Sequence, residues 1–314
     1  MPIIAHKRHG ALVDLYHHGH IAVVDVNGVI LRKFGDPRRV TYSRSSAKPM
    51  QAIAALECGV DITPEELAVI CASHGGEEIH VAAVRRILAK AGLDESALQC
   101  GVHKPFSPAA NADNPLPVQN NCSGKHAGML YAAKIMGESL HDYCLPSHPH
   151  QQRILRAIAE ICDYPAEEII IGCDGCGVPV HAMPLFKFAQ GYARMARENS
   201  AIVRAMRAHP EMVDRPGGFT TELMRAFGDR LFCKVGADAF FAVGLLEHGI
   251  GIAIKIDDGC THVIPPVVLE TLVQLGVITQ AEALALPQFR QLAHINHKGE
   301  TIGETAPVFT LENG

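Results

Sequence analysis

Apolar positions near both ends of the chain run together or alternate as they do in β-strands. The segment 20–26 is mostly apolar, an Asn-Gly turn signal follows at 27–28, and a second mostly apolar run covers 29–34. An Asn-Gly pair between two such runs is typical of a hairpin with a type I′ turn. The segments 239–246 and 250–256, separated by a glycine-containing turn, predict a second hairpin. We therefore predict β structure in the N-terminal and C-terminal parts of the chain.

Helical spacing of apolar residues dominates the middle of the chain. The predicted helices cover residues 49–58, 63–71, 77–91, 124–136, 148–162, 184–197, 220–227 and 265–275. One of them has a clear start signal, because Thr63 can cap it and Pro64 suits its first turn. Strands at both ends with helices between them favour an α+β fold. In this fold one antiparallel sheet is built from the N- and C-terminal strands and is flanked by helices, as in serine β-lactamase-like proteins.

Composition and charge limit the classes of protein to consider. The 314 residues contain no internal repeat, low-complexity tract or long linker, which favours a single catalytic domain over residues 1–314. The net charge of −5, without a basic run interleaved with aromatic residues, argues against a nucleic acid partner. Apolar stretches are too short to cross a bilayer, and the first ten residues do not read as a secretory signal. We therefore expect no membrane partner and a cytoplasmic location.

Cysteine and histidine are both frequent, with 10 and 18 residues. A reducing compartment keeps cysteines as thiols, so we interpret most of them as small buried core residues. The histidine clusters at 17–20 and 148–150 have no ligand-like context, and we interpret them as structural or solvated.

A Ser-x-x-Lys element, from Ser45 to Lys48, contains the parts of an acyl-transfer site. A serine hydroxyl becomes a good nucleophile only when a nearby base takes its proton. A lysine three residues further on, in a helical turn, can reach that hydroxyl. A second serine, in the segment 73–76, and a second lysine, Lys234, would complete a cluster that passes protons. This is the non-histidine variant of the serine hydrolase plan.

Each of these motifs also has a structural interpretation. Ser-x-x-Lys can be a helix cap with a solvated lysine, the segment 73–76 can be a glycine stop after a helix, and Lys234 can lie at a sheet edge. Lys48 also precedes Pro49, which disfavours the α region for Lys48. We therefore expect a tight turn over 45–48, with Pro49 at the first helical position. Gly236 would let a substrate approach the strand backbone.

Thiols beside glycine turns suggest a zinc site. Cys122 is followed by Lys125 and His126, and Cys173 and Cys176 form a Cys-x-x-Cys pair. Thiolates from two such turns suit tetrahedral zinc. Donor chemistry alone favours His126 over Lys125 as the nitrogen ligand, because a lysine must first lose its proton. The alternative is a set of buried structural thiols.

Taken together, the motifs resemble those of a known family over about residues 10–312. The matching segments are Arg44 to Gln51, Ser73 to Gly75, Asn121 to His126, His148 to Gln151, Asp174 to Pro179, Lys234 to Ala237 and Lys255 to Gly259. They resemble the asparaginase II family, the rhizobial-type class 3 L-asparaginases, which have a serine β-lactamase/glutaminase-like fold.

The resemblance implies a role for each matching position. The implied catalytic residues are two Ser-Lys pairs, Ser45 with Lys48 and Ser73 with Lys234. The implied zinc ligands are Cys122, Lys125 and Cys176, with a water, so the resemblance replaces His126 by Lys125 and leaves Cys173 out. The residues expected to contact the substrate are Arg44, Asp174 and His74.

The implied reaction converts L-asparagine and water to L-aspartate and ammonia through an acyl-enzyme, in a homodimer. Ser45 is expected to attack, one lysine to act as base, and Ser73 to relay the proton. A glutaminase or related amidase of the same fold is the nearest alternative, because one methylene separates the substrates. A penicillin-recognising relative is disfavoured, since such enzymes act outside the cytoplasm. A non-catalytic, zinc-stabilised amino-acid-binding protein is the alternative from another class.

Overall fold

A computed structural model of the chain describes residues 2–110 and 113–314. Its strands are β1 (Ile3–His9), β2 (Leu12–Val24), β3 (Ile30–Phe34), β4 (Val40–Tyr42), β5 (Ile170–Cys173), β6 (Pro179–Pro184), β7 (Leu231–Gly236), β8 (Phe240–Leu245), β9 (Ile250–Ile256), β10 (Leu292–Ile295), β11 (Thr301–Pro307) and β12 (Glu312–Asn313). Its helices are α1 (Lys48–Glu57), α2 (Pro64–Ile70), α3 (Glu78–Lys90), α4 (Ser123–Ile135), α5 (Pro149–Cys162), α6 (Leu185–Glu198), α7 (Ala201–Ala208), α8 (Pro210–Val213), α9 (Phe219–Phe227), α10 (Ile264–Gln274), α11 (Gln280–Leu284) and α12 (Pro287–Arg290).

The larger sheet joins the two ends of the chain. Its strand order is β10-β11-β1-β2-β9-β8-β7, with β3 beside β2 and β12 beside β3, and the paired strands are antiparallel. Strand β2 pairs with β9, so that Ile21 lies opposite Ile254. The predicted α+β class, with an antiparallel sheet from both ends and flanking helices, is confirmed. The single domain over residues 1–314 stays a prediction.

Both predicted hairpins are present, but the type I′ turn between the first two runs is wrong. Gly28 has a positive φ of 81°, whereas Asn27 does not, and a type I′ turn needs positive φ at both central residues. The Asp25 carboxylate instead accepts hydrogen bonds from the backbone N–H groups of Asn27 and Val29, each at 2.9 Å. An acidic side chain at the strand end therefore builds a wider loop.

Most of the predicted helices agree with the structure to within one or two residues at each end. Thr63 caps α2 as expected, because its hydroxyl accepts from the backbone N–H of Glu66 while the Glu66 carboxylate accepts from that of Thr63. The elements that prediction missed are mostly short or at the sheet edge, and they include α7, α8, α11, α12, β1 and β10 to β12.

Lys48 corrects one local expectation. A 3₁₀ turn covers Arg44–Ala47, as the predicted tight turn requires. Lys48 itself has φ −55° and ψ −39°, inside the α region that a residue before proline usually avoids. Helix α1 therefore begins at Lys48, one residue before Pro49, and the lysine side chain leaves the first turn of the helix.

A second, smaller sheet with the order β4-β6-β5 supports the turn that carries Ser45. Tyr42 in β4 lies opposite Ala182 in β6, and the backbone N–H of Ser43 continues this pairing by donating to the carbonyl of His181 at 3.3 Å. Strand β5 ends at Cys173, directly before Asp174. The C-terminal ends of β4 and β5 thus bring Arg44 and Asp174 together.

Two further findings concern the chain as a whole. The ten cysteines are unpaired thiols, and seven of them are buried. Over residues 2–110 and 113–314, helices fall short of the length and apolar content that a membrane crossing requires.

Helix α6 packs directly on the sheet at two paired glycines. Gly244 in β8 and Gly251 in β9 lie opposite each other. A methyl group on Gly251 would overlap the backbone carbonyl of Ala189 in α6, and one on Gly244 would lie 2.8 Å from the carbonyl oxygen of Tyr192. Tyr192 also holds the Ser45 turn, so this close packing sets the distance between the sheet and the turn.

We predict that Gly251→Ala lowers the free energy of unfolding by at least about 1–3 kcal/mol, because backbone atoms cannot move aside as a flexible side chain can. Gly175→Ala is the matched control, since a methyl group there meets no atom within 4 Å. Urea unfolding followed by circular dichroism measures both variants. Equal stability of the two variants would contradict the packing argument.

Candidate active site

The turn Arg44–Ala47 is fixed from two sides. The hydroxyl of Ser46 donates to the backbone carbonyl of Lys234 in β7 at 2.8 Å. The hydroxyl of Tyr192 in α6 donates to the carbonyl of Ser46 at 2.7 Å. Ser46 is thus a positioning residue for the turn that carries Ser45.

Gly236 also serves this packing. A methyl group at Gly236 would lie 2.6 Å from the carbonyl oxygen of Ser43 and 3.0 Å from the Ser46 hydroxyl. The glycine therefore lets β7 approach the serine turn, and it lines the adjacent cavity as well.

The hydroxyl of Ser73 lies between two lysines. Lys234 Nζ is 2.8 Å from Ser73 Oγ, and Lys48 Nζ is 3.3 Å from the same oxygen. Lys48 Nζ also donates to the carbonyls of Ala72 at 2.5 Å and Asn121 at 3.3 Å. The structure thus brings Lys48, Ser73 and Lys234 together from α1, the segment after α2, and β7, although Lys234 lies 161 positions after Ser73 in the chain.

The electrostatics of this cluster favour a neutral amine. Lys234 is fully buried, and burial together with the positive charge of Lys48 lowers its pKa to about 7. The carboxyl of Asp214 acts in the opposite direction on Lys234. At neutral pH, a substantial fraction of Lys234 can therefore accept a proton.

Ser45 shares a cavity with Ser73. The cavity has a volume of about 610 Å³, and both serines line it together with Asn121, Asp214 and Asp238. The Ser45 hydroxyl has no hydrogen-bond partner among residues 2–110 and 113–314, and Lys48 reaches Ser73 rather than Ser45. Of the two predicted Ser-Lys pairs, the structure shows a direct contact for Ser73 with Lys234 only.

Arg44 lies between two carboxylates. Its guanidinium donates to Asp174 through Nε at 3.0 Å and Nη2 at 2.9 Å, and it also pairs with Asp238. Arg44 and Asp238 are non-glycine residues with positive φ, 50° and 54°, as is Ala239 at 54°. Such strained residues collect at ligand sites. Arg44 therefore reaches the cavity through Asp238, and its contact with a substrate stays a prediction.

Asp174 is a charged carboxylate in this arrangement. Burial alone would raise its pKa, but Lys125, the backbone N–H of Gly175 and Arg44 together lower it below the ordinary value. The N–H of Gly175 donates to Asp174 Oδ1 at 2.9 Å. Asp174 thus links the Arg44 turn to the charges around Lys125.

His74 lies behind the serine rather than in the cavity. It is fully buried, one ring nitrogen contacts Ser123 Oγ at 2.9 Å, and the other accepts from the N–H of Gly76 at 3.2 Å. Burial and the neighbouring His80 lower its pKa well below the ordinary value. Both nitrogens therefore have partners inside the protein, and the contact of His74 with a substrate stays a prediction.

The predicted zinc ligands converge. Lys125 Nζ is 3.1 Å from Cys176 Sγ, and the thiol of Cys122 is hydrogen bonded to Cys176. All three side chains are at most 5% exposed. The hydrogen bond from Cys122, joined by Lys125 and Lys48, lowers the pKa of Cys176 to about 5, whereas the pKa of Lys125 is raised. Two thiols and one amine thus form a compact donor set.

The two other candidate ligands lie apart from this set. His126 Nδ1 contacts the hydroxyl of Tyr143 at 2.7 Å, and Cys173 is exposed. In the described residues, histidine, cysteine, aspartate and glutamate do not form a group of three that could hold a metal ion. The preference for His126 from donor chemistry alone is not supported, and any metal site here would need the amine of Lys125.

Asp214 is the site residue that sequence reasoning missed. It is 6% exposed, lines the cavity and acts on the charge of Lys234. Burial raises its pKa. Its backbone carbonyl accepts from Gly75 at 2.9 Å, so the same residue also fixes the segment after Ser73. The turn-forming residues at 215–218 mark a loop there, but no motif marks the carboxyl.

The chain matches one known protein family over most of its length. A profile of the family described as L-asparaginase II matches residues 5–307. The search of curated proteins gave no match.

Solved structures give distant matches. A β-lactamase from Mycobacterium bovis is 15% identical with a TM-score of 0.45, covering 83% of this chain and 95% of its own. A putative β-lactamase from Bacteroides dorei is 12% identical with a TM-score of 0.42, covering 80% and 92%. An octameric penicillin-binding protein homologue from Pyrococcus abyssi is 12% identical with a TM-score of 0.39, covering 90% and 80%.

The TM-scores of these structures lie below 0.5, so they carry no information about activity. The family profile, in contrast, spans nearly the whole chain, including the serines, the lysines and the thiol cluster. The chain therefore belongs to the L-asparaginase II family and is an amidohydrolase.

Proposed function

We propose that the protein hydrolyses L-asparagine to L-aspartate and ammonia through a serine acyl-enzyme. The observation that carries the proposal is the Ser73 hydroxyl held between Lys234 and Lys48, in a cavity shared with Ser45. Serine and lysine side chains in contact are the parts of an acyl-transfer site without histidine. Membership of the L-asparaginase II family supports a side-chain amide as the substrate.

In this mechanism Ser45 attacks the amide carbon, and Ser73 passes the proton to Lys234. The Ser45 hydroxyl faces the cavity without a partner among the described residues, so it is available to a substrate. Hydrogen bonds of catalytic groups are often long before substrate binds, and they tighten in the complex. The contact of 2.8 Å between Ser73 and Lys234 favours a second possibility, attack by Ser73 itself.

The leaving nitrogen and the water complete the cycle. Protonated Lys234 returns its proton through Ser73 to the departing nitrogen, so that ammonia leaves and the ester of aspartate remains. Water then hydrolyses the ester and releases aspartate. Lys48, which donates to two carbonyls, holds the segment after α2 and keeps a positive charge beside Lys234.

The pH dependence of turnover tests the role of Lys234. We predict that kcat/KM for asparagine falls on the acid side with a midpoint near 7, the pKa that burial and Lys48 give Lys234. The value of kcat/KM falls at low pH because the amine of Lys234 accepts a proton only when it is neutral, and it is mostly neutral only above that pKa. The other groups that act on Lys234 are Asp214, Cys122 and Cys233.

Ammonia release between about pH 5 and about pH 9 measures this profile. Lys48→Met removes a like charge and should move the midpoint upward, whereas the exposed control Lys134→Met should leave the midpoint unchanged. A midpoint that stays in place in Lys48→Met would remove the lysine pair from the mechanism.

Variants of the serines identify the nucleophile. Ser45→Ala should lower kcat by at least about a thousandfold, because no acyl-enzyme forms without the attacking hydroxyl. Acid quenching and peptide mass spectrometry should find an aspartyl adduct on Ser45 in the wild type. The exposed control Ser147→Ala should retain activity. An adduct on Ser73 would reverse the roles of the two serines.

The donor set at Cys122, Lys125 and Cys176 fits a zinc ion in composition, because two thiolates are zinc ligands, the deprotonated amine of Lys125 would offer a nitrogen lone pair, and the three side chains already converge. When bound, zinc would supply a positive charge beside Asp174 and would need Lys125 without its proton. We propose that these residues support substrate binding rather than water activation, because two thiolates largely neutralise the metal charge.

Removal of metal with a chelator should therefore raise KM for asparagine, with kcat at saturating substrate changing by less than about threefold. Metal analysis and ammonia release on the same preparation measure both effects. A collapse of kcat at saturating asparagine would show that the metal takes part in the chemistry.

Two parts of the proposal rest on the family rather than on the geometry. The preference for asparagine over glutamine involves one methylene, worth about 1–3 kcal/mol, and a comparison of kcat/KM for the two substrates decides it. The homodimer is tested by light scattering. Tight amino-acid binding without ammonia release would favour the non-catalytic alternative.

A further inference from the structure

The cavity at Ser45 and Ser73 is larger than asparagine requires. Its volume is about 610 Å³. Pockets between about 300 and 1,000 Å³ usually hold ligands of drug size, which are several times larger than a single amino acid. Much of this space would stay empty or hydrated with asparagine in place.

One wall of the cavity is aromatic. Phe219 begins α9, Phe241 lies in β8 and Phe289 lies in α12. The ring centroids of Phe219 and Phe241 are 5.4 Å apart, and those of Phe219 and Phe289 are 5.0 Å apart. All three residues line the cavity: the rings of Phe219 and Phe289 are half-buried, and that of Phe241 is fully buried against Phe219, and we name this apolar surface the phenylalanine wall.

One residue of the phenylalanine wall, Phe241, lies in β8, the strand that pairs with the Lys234 strand β7. Phe241 in β8 lies directly opposite Val235 in β7, the residue after Lys234. Opposed residues on antiparallel strands point to the same face of the sheet. Val235 and Phe241 both line the cavity. The wall therefore belongs to the cavity in which Ser45 would attack.

Asparagine offers this wall no apolar group. Its ammonium and carboxylate need the charged and polar groups of the cavity, such as Asp214, Arg215 and Asp238. The amide nitrogen is the other group on the reacting carbonyl carbon that can carry a substituent. A substituent on that nitrogen is the part of a substrate that could bury itself against aromatic rings.

We infer that the cavity accepts secondary amides of aspartate, in which the side-chain nitrogen carries an aromatic or similarly sized apolar group that packs on the phenylalanine wall. This inference rests on the proposed amide hydrolysis and names a wider substrate class for the same site. The reaction follows the same steps as the hydrolysis of asparagine. The serine oxygen bonds to the carbonyl carbon, the C–N bond breaks, the amine leaves with the proton from Lys234 and Ser73, and water cleaves the ester.

The test uses two substrates with the full-length protein, L-asparagine and the β-anilide of L-aspartate. Release of ammonia and of aniline gives kcat/KM for each. Because aniline is the better leaving group, the informative quantity is the ratio of the two values across variants. Phe289→Ala shortens the wall at a half-buried ring. It should lower the ratio of anilide to asparagine at least about tenfold, since a lost apolar contact of this kind is worth that much selectivity.

One further variant keeps the inference falsifiable if Phe289→Ala does not fold. Leu292→Trp should lower the same ratio by filling the cavity, which Leu292 also lines. Phe186→Ala is the matched control, because Phe186 lies outside the cavity under Arg38 and Lys187. Its ratio should equal that of the wild type.

The outcomes separate the inference from the proposed function. Turnover of asparagine without turnover of the anilide would overturn the inference and leave asparagine hydrolysis intact. Anilide hydrolysis with equal ratios in the wild type, Phe289→Ala and Leu292→Trp would overturn the phenylalanine wall as the binding surface. Turnover of neither amide would overturn the proposed function and the inference with it.

Discussion

The burial of two lysine amines around one serine hydroxyl is the constraint on which the rest of the site depends. A buried charge is costly unless it is paired, and two like charges close together add to that cost. Lys48 and Lys234 are both at most 1% exposed, and both reach Ser73. The protein meets the cost by giving Lys48 two backbone carbonyls and by lowering the pKa of Lys234. The neutral amine needed for serine chemistry is thus a consequence of packing.

The fold holds this pair in place by joining distant parts of the chain. Strand β7 carries Lys234 at the edge of the larger sheet, and the Arg44–Ala47 turn is fixed to β7 by Ser46 and to α6 by Tyr192. The left-handed backbone at Arg44 and Asp238 costs about 1–3 kcal/mol at each residue. Arg44 pairs with Asp238, which lines the cavity, so this costly backbone conformation helps to shape the site.

Local sequence signals predicted the regular elements, and their limits follow from the same physics. Apolar periodicity and the Thr63 cap act within one helix, so α1 to α6 and both hairpins could be predicted. The turn after β2 could not, because the Asp25 side chain replaces the expected backbone geometry. At the site, motifs marked the serines, lysines and thiols. Asp214 and the phenylalanine wall have no motif, since Asp214 reaches the site from the loop between α8 and α9, and the wall forms only through packing of α9, β8 and α12.

The state of Lys234 is the most direct test of this account. The protein can be labelled with ¹³C at the lysine side chains, and NMR can follow the Lys234 resonance with pH. The account predicts a midpoint at about 7 in the wild type and an upward shift in Lys48→Met. A midpoint near the ordinary lysine value of about 10.4, unchanged by Lys48→Met, would contradict it.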